Sequence, residues 1–170
     1  MPDFVYSDYF LKELGDLEPP AIHARFLAMI RYMKKVAPRG ALPGRQHIDP
    51  VEFRQVLTLV NLVDVERTGG KTRFRFRLVG EQQTRAAGRS ITGLVVEDAV
   101  IPELAPRITA NMTQVLARRL PVYDSFAMPH PDRQFIDSQR MYFPLAADGR
   151  VIDKLLILNG YDRMPLRAAI

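Results

Sequence analysis

Cysteine is absent from the 170 residues. That single absence removes disulfides, thiolate nucleophiles and cysteine metal sites together, and it leaves the redox compartment open. Histidine is scarce as well. The three are His23, His47 and His130, scattered over a helix, a linker and a turn, which is a poor arrangement for ligating a metal. No apolar run approaches the roughly 20 residues of a membrane span. The N-terminus, MPDFVYSDYFLKELGDLEPP, carries acidic residues where a secretory signal has a cationic start and an apolar block. A cytoplasmic location is expected, with no membrane. Internal repeats and low-complexity tracts are also lacking.

What is present suits one soluble globular domain: hydrophobic residues make up 47% and charged residues 25% of the chain. The length is enough to bury a real core. The formal net charge is +5 and the pI about 9.7, yet the excess is mostly arginine scattered singly. Lys34-Lys35 and Arg118-Arg119 are only short pairs. A nucleic-acid binder clusters its charge on one helix or stripe, so nucleic acid is not the expected partner.

The most patterned stretch runs from Thr72 to Leu94, TRFRFRLVGEQQTRAAGRSITGL. Phe74, Phe76 and Leu78 fall on one side of an extended chain and Arg73, Arg75 and Arg77 on the other, the period of a half-buried strand. The arginine ladder reads either as a solvated sheet face that discourages edge pairing or as a surface for phosphate or an acidic partner. Gly80 ends the strand, and Gly88 and Gly93 bracket a short segment after it.

Pro19-Pro20 stops any helix arriving from the N-terminus, where Phe4, Tyr6, Tyr9, Phe10 and Leu14 suggest a docking segment. From Ala21 to Val36, Ile22, Phe26, Met29, Ile30 and Met33 recur at helical spacing. This stripe packs either on its own domain or on a twin helix, which would make a homodimer. Asp49-Pro50 fits an N-cap and first helical residue, opening a short helix over 51–57 with Phe53, Val56 and Leu57 inward. Strands are expected over 59–66 and 72–79 across a Gly69-Gly70 hairpin turn. A helix over 102–119 follows, with Leu104, Ile108, Met112, Val115 and Leu116 on one side. Strands over 121–128, 134–145 and 151–161 close the chain, with a turn at Pro129, Pro131 and Asp132 and a hairpin at Asp148-Gly149. Two hairpins around a helical block argue for an α+β fold with an antiparallel sheet.

Leu42-Pro43, Arg45 and Ile48-Asp49-Pro50 precede the first strand, Arg77-Leu78-Val79-Gly80 ends the second, and Gly88 with Ile91-Thr92-Gly93 lies in the helical block. In that order and spacing, over about residues 25–161, these motifs resemble the PAS domain superfamily, and within it the PAS-like family common in alphaproteobacteria. The resemblance implies a five-stranded antiparallel sheet with helices on one face, preceded here by the N-terminal helix. It divides the chain into an N-terminal segment and helix (1–38), a PAS-like domain (39–163) and a tail (164–170). Glu81 departs from the small hydroxyl residue expected after the strand-ending glycine.

A PAS-like chain is expected to be a sensory or signalling domain that binds a small ligand or a protein partner. PAS domains that sense haem take a histidine from the long helix before the third strand, and 102–119 has none. Adduct-forming flavin photochemistry needs the missing cysteine. Gly88-x-x-x-x-Gly93 lacks the lysine of a phosphate loop and does not directly follow a strand. No cofactor is identified. Ser125, Ser138, Asp124 and Asp137 on predicted strands, the adjacent Glu97 and Asp98, and the loop pair His130 and Asp132 make no convincing nucleophile–base or acid–base couple. Enzymatic activity is not expected. The pocket candidates are Phe74, Phe76 and Leu78 facing Ile91, Leu94 and Met112, with Arg77 and Arg89 either meeting a ligand carboxylate or holding the helical block to the sheet. The competing reading is a nucleic-acid or acidic-ligand binder that uses the basic sheet face.

Overall fold

The computed structural model describes residues 2–127 and 137–161. Strand β1 (Val5–Tyr6) and helix α1 (Asp8–Leu14) lead into helix α2 (Ala24–Val36), followed by two 3-10 helices, Arg45–His47 and Pro50–Leu59. Strands β2 (Val60–Thr68) and β3 (Lys71–Leu78) come next, then the short helices α3 (Glu81–Ala87) and α4 (Val96–Ala99) and the longer α5 (Ala105–Arg118). Strands β4 (Val122–Ala127), β5 (Asp137–Leu145) and β6 (Lys154–Tyr161) complete the sheet. The start expected at 134 for the strand that became β5, the 129–132 turn with His130, and the 164–170 tail lie outside the described residues.

The sheet order is β1-β4-β5-β6-β2-β3. Five of these strands form the expected antiparallel set, and β2 and β3 pair across Gly69 and Gly70, both at positive φ, as the hairpin signal requires. Two corrections follow. A sixth strand is present, because Val5 and Tyr6 pair parallel to Val122 and Tyr123, so the sheet is mixed. Helices also cover both faces rather than one. On the first, α4 buries Val96 and α5 buries Ile108, Met112 and Val115 against Phe74, Phe76, Tyr142 and Ile157. On the second, α2 buries Phe26, Met29, Ile30 and Met33 against Tyr123, Met141, Phe143 and Leu158. A sheet covered twice explains why residues 141–145 of β5 and 155–158 of β6 read as continuous apolar runs instead of alternating ones.

The α2 stripe therefore packs on this chain's own sheet, where Phe26 and Met29 are fully buried. Helix α2 and the sheet share one hydrophobic cluster.

Local chemistry explains the smaller differences. The helix after Asp49, whose side chain accepts from Val51 N at 3.0 Å, is 3-10 rather than α. Its three-residue turn puts Phe53, Val56 and Leu59 on one buried side and leaves Leu57 exposed. At the other end of the domain, Asp148 accepts backbone N–H groups from Arg150 and Val151. This holds residues 146–153 as a loop, so β6 starts at Lys154 instead of 151. Gly80 is needed for close approach: a Cβ there would lie 2.4 Å from the Thr58 carbonyl oxygen.

Candidate functional site

Of the pocket candidates, Phe74, Phe76, Ile91 and Met112 do come together, each at most 2% exposed, in the core between sheet and helical block. Leu94 is half-buried at its margin, and its carbonyl accepts from Phe76 N at 2.9 Å. Leu78 does not join them. The β2–β3 register pairs Val63 with Phe76 but Leu62 with Leu78, so Arg77 is an extra residue on β3. Such a bulge shifts the alternation by one. Leu78 turns to the other face and is 52% exposed, while Val79 packs on the helical side in its place. Arg77 is exposed too. Exposed Arg89 donates to the Asp98 carbonyl at 2.6 Å, tying the segment before α4 to α4 itself.

The arginine ladder is interleaved with acids. Arg75 grips Glu66 at 2.6 and 3.2 Å and donates to the Gly93 carbonyl at 2.7 Å. Lys154 reaches Asp64 at 2.8 Å from the next strand. The hydrogen bonds from Arg75 hold the Glu66 carboxyl below its usual range. That face is therefore a row of alternating charges, with Arg73 and Arg77 as its exposed cations.

A buried polar cluster lies farther along the helical face, between α5 and the inner sides of β4 and β5. Asp124 of β4 is fully buried. Arg107 of α5 meets it at two points, Nε to Oδ2 at 2.8 Å and Nη2 to Oδ1 at 2.6 Å. One turn along α5, Asn111 donates to Oδ2 at 2.6 Å. Two groups from the N-terminal arm close the cluster. Ser7 donates to Asn111 Oδ1, and the half-exposed Glu13 accepts from Arg107 Nη2 at 3.1 Å. Burial works against the Arg107 charge, but hydrogen bonds to Asp124 and Glu13 outweigh it and hold the guanidinium pKa above its ordinary value.

Arg140 sits directly across from Asp124 in the β4–β5 register. It is 7% exposed, and its Nε has no hydrogen-bond partner among the described residues. Both guanidinium carbons lie over the Phe126 ring, Arg107 at 4.8 Å and Arg140 at 5.3 Å from the centroid. The Tyr142 hydroxyl is buried beside Asn111 and Arg140 without completing a hydrogen bond to either, and burial pushes its pKa up. The fully enclosed members thus hold two cations against one carboxylate. The Arg140 guanidinium, short of a partner at Nε among the described residues, and the Tyr142 phenol together suit a small anionic or strongly accepting group.

None of this cluster was among the expected pocket residues, although a signal existed. Asp124 shares the inward phase of Val122 and Phe126, and Arg107 and Asn111 fall within the apolar side of α5. Polar residues at inward positions on two facing elements announce a buried pair. The histidines play local parts: His23 caps α2 by accepting from Arg25 N at 3.2 Å, and His47 accepts from Gly44 N at 2.9 Å. Among the described residues no cluster of three or more potential metal ligands occurs. No helix among them is long and apolar enough to cross a membrane.

A family model described as PAS domain matches residues 22–158. Among solved structures, the PAS domain of a protein from Colwellia psychrerythraea is similar at 15% identity and a TM-score of 0.43, over 66% of this chain and 96% of that one. Comparison with curated proteins finds no match.

Proposed function

We infer a sensory or signalling role from one premise: the chain belongs to the PAS domain family. Within that role, we read the protein as a non-catalytic binder of a small anionic ligand. Arg140 is the observation that carries this reading, a buried guanidinium without a carboxylate partner among the described residues. A buried cation left uncompensated is costly, and a ligand carboxylate or similar acceptor would remove that cost. Tyr142 and Asn111 stand beside it as further donors. Binding is favoured over chemistry because Asp124, the cluster's enclosed carboxylate, already accepts from Arg107 and Asn111 and has no free role as a base.

The arm of residues 2–14 offers a route for output to a partner protein. It lies before the matched family region, yet Ser7 and Glu13 both touch the cluster. A ligand that competes for Arg107 or Asn111 would loosen the arm's hold and change the surface shown to a partner. Native mass spectrometry of freshly purified protein tests the binding step. A co-purified small acid is expected in the wild type and is lost in Arg140→Met. A wild-type mass equal to the bare polypeptide, together with no thermal stabilisation by a panel of small carboxylic acids, would remove the reading.

A further inference from the structure

A second concave feature lies at the end of the other face of the sheet, away from the Arg107–Asp124 cluster. A cleft of about 310 Å³ opens between the C-terminal half of α2, the linker at Ala41–Pro43 and the turn from α5 into β4. Ile30, Met33, Leu42, Leu120 and Phe143 give it an apolar lining. It runs into a shallower bay bordered by Arg39, Gly40 and Gly149, and the two share Lys34 and Arg119. The residues around both therefore include three cations, Lys34, Arg39 and Arg119, against one acid, Asp3. An apolar interior with a cationic mouth matches a ligand that has a hydrocarbon body and one anionic end. The volume is near the lower end of the roughly 300–1,000 Å³ typical of small-molecule sites, so the ligand is modest in size.

Two details at the mouth point the same way. Arg119 is the one non-glycine residue at positive φ among the described residues, at φ 57°. It caps the C-terminus of α5, a position where glycine is free of strain. Arginine is held there regardless, with Nη1 donating to the Arg150 carbonyl at 2.6 Å, next to Gly149 at the edge of the bay. Backbone strain retained under a charged side chain at a cleft mouth indicates that the side chain is wanted there. The second detail is Asp3, which pairs with Lys34 in an exposed contact. It places a carboxylate of the arm where the ligand's own carboxylate would sit.

We propose that this cleft binds a free medium-chain fatty acid, its chain among Ile30, Met33 and Phe143 and its carboxylate between Lys34 and Arg119. The site is separate from the Arg140 cluster, and either can fail without the other.

Calorimetric titration of the full chain with octanoate, decanoate and octanol tests it. Decanoate binds tighter than octanoate by about fifteenfold, since each buried methylene is worth about fourfold. Octanol binds more weakly than octanoate, because it lacks the charge. Arg119→Gly weakens decanoate by about tenfold, the scale of a lost charged hydrogen bond, while the melting temperature holds or rises because the strain is relieved. Ala37→Phe, which adds a ring to the cleft wall, abolishes binding. Asp3→Asn tightens it by freeing Lys34. Absence of decanoate binding, equal affinities along the chain series, or undiminished binding in Arg119→Gly would each overturn the proposal. Binding of a peptide with an apolar C-terminal residue and free carboxylate, where decanoate does not bind, would overturn it too.

Discussion

Arg107 and Asp124 meet in a two-point ion pair at 2.8 and 2.6 Å, with Asp124 fully buried and Arg107 8% exposed at its side chain. The pair joins α5 to β4, and through Glu13 and Ser7 it also fastens the N-terminal arm. With Asn111, Arg140 and the Tyr142 hydroxyl it makes the polar part of a face whose other buried side chains are mostly hydrocarbon.

Removing one member should therefore cost far more than removing both. Asp124→Ala leaves Arg107 buried with only the half-exposed Glu13, and a loss of about 3–5 kcal/mol is expected. The double variant Arg107→Met, Asp124→Leu should fall well short of the sum, because it leaves no buried charge of this pair behind. Glu13→Gln should cost no more than about 1 kcal/mol, as for a solvent-screened pair. Urea denaturation of the wild type, these three variants and the singles Arg107→Met and Asp124→Leu reads all three, and additive losses would show that the pair is not coupled.

The bulge at Arg77 makes a second contrast, within one strand. Phe76 is 2% exposed and Leu78 is 52% exposed. Phe76→Ala should cost about 3–5 kcal/mol, and Leu78→Ala about 0.5 kcal/mol. Equal losses would mean that the strand keeps a strict alternation and that Leu78 packs inward.

That contrast also marks how far the sequence could be read. Strand phase was legible in the Phe74–Phe76 run because an apolar–polar alternation over several residues has one physical interpretation. The bulge was not, because it depends on which residues of β2 the strand meets, and pairing is a tertiary matter. The Pro50–Leu59 helix shows the same limit: Asp49 and Pro50 announce its start, but whether it winds in threes or fours is decided by packing of Phe53, Val56 and Leu59 on the sheet. The cluster around Asp124 was legible in principle. Its residues occupy inward positions, and a charged residue at an inward position implies a partner.

His23 gives a pH dependence whose sign is fixed. Its Nδ1 accepts from Arg25 N at 3.2 Å, and its pKa is lowered from the ordinary 6.5, first by burial and then by the nearby Arg25 charge. A depressed folded-state pKa means that the neutral ring belongs to the native state. Its contribution is fully present above pH 6.5 and is lost as pH falls below that value through the folded pKa. The wild type should therefore lose more melting temperature between pH 7 and pH 5 than His23→Asn, which keeps a capping oxygen and does not titrate. Parallel curves would show that the cap is indifferent to protonation.

The last prediction separates a helix that belongs to the domain from one that joins two copies. Phe26 is fully buried and Ile30 is 4% exposed, both against the second face of the sheet, and Phe26 meets Tyr123 edge-on at 5.5 Å between centroids. In the double variant Phe26→Glu, Ile30→Glu, two carboxylates would have to enter that core. The penalty for each is several kcal/mol, and a domain has only about 5–15 kcal/mol in all. The variant should lose its folded circular dichroism signal outright. Leu27→Glu, on the same helix but 39% exposed, should fold normally with a change within about 0.5 kcal/mol. Had the stripe been a seam between two copies, the double variant would instead stay folded and halve its mass in light scattering. A folded half-mass species would return α2 to an interface and leave the second face of the sheet open.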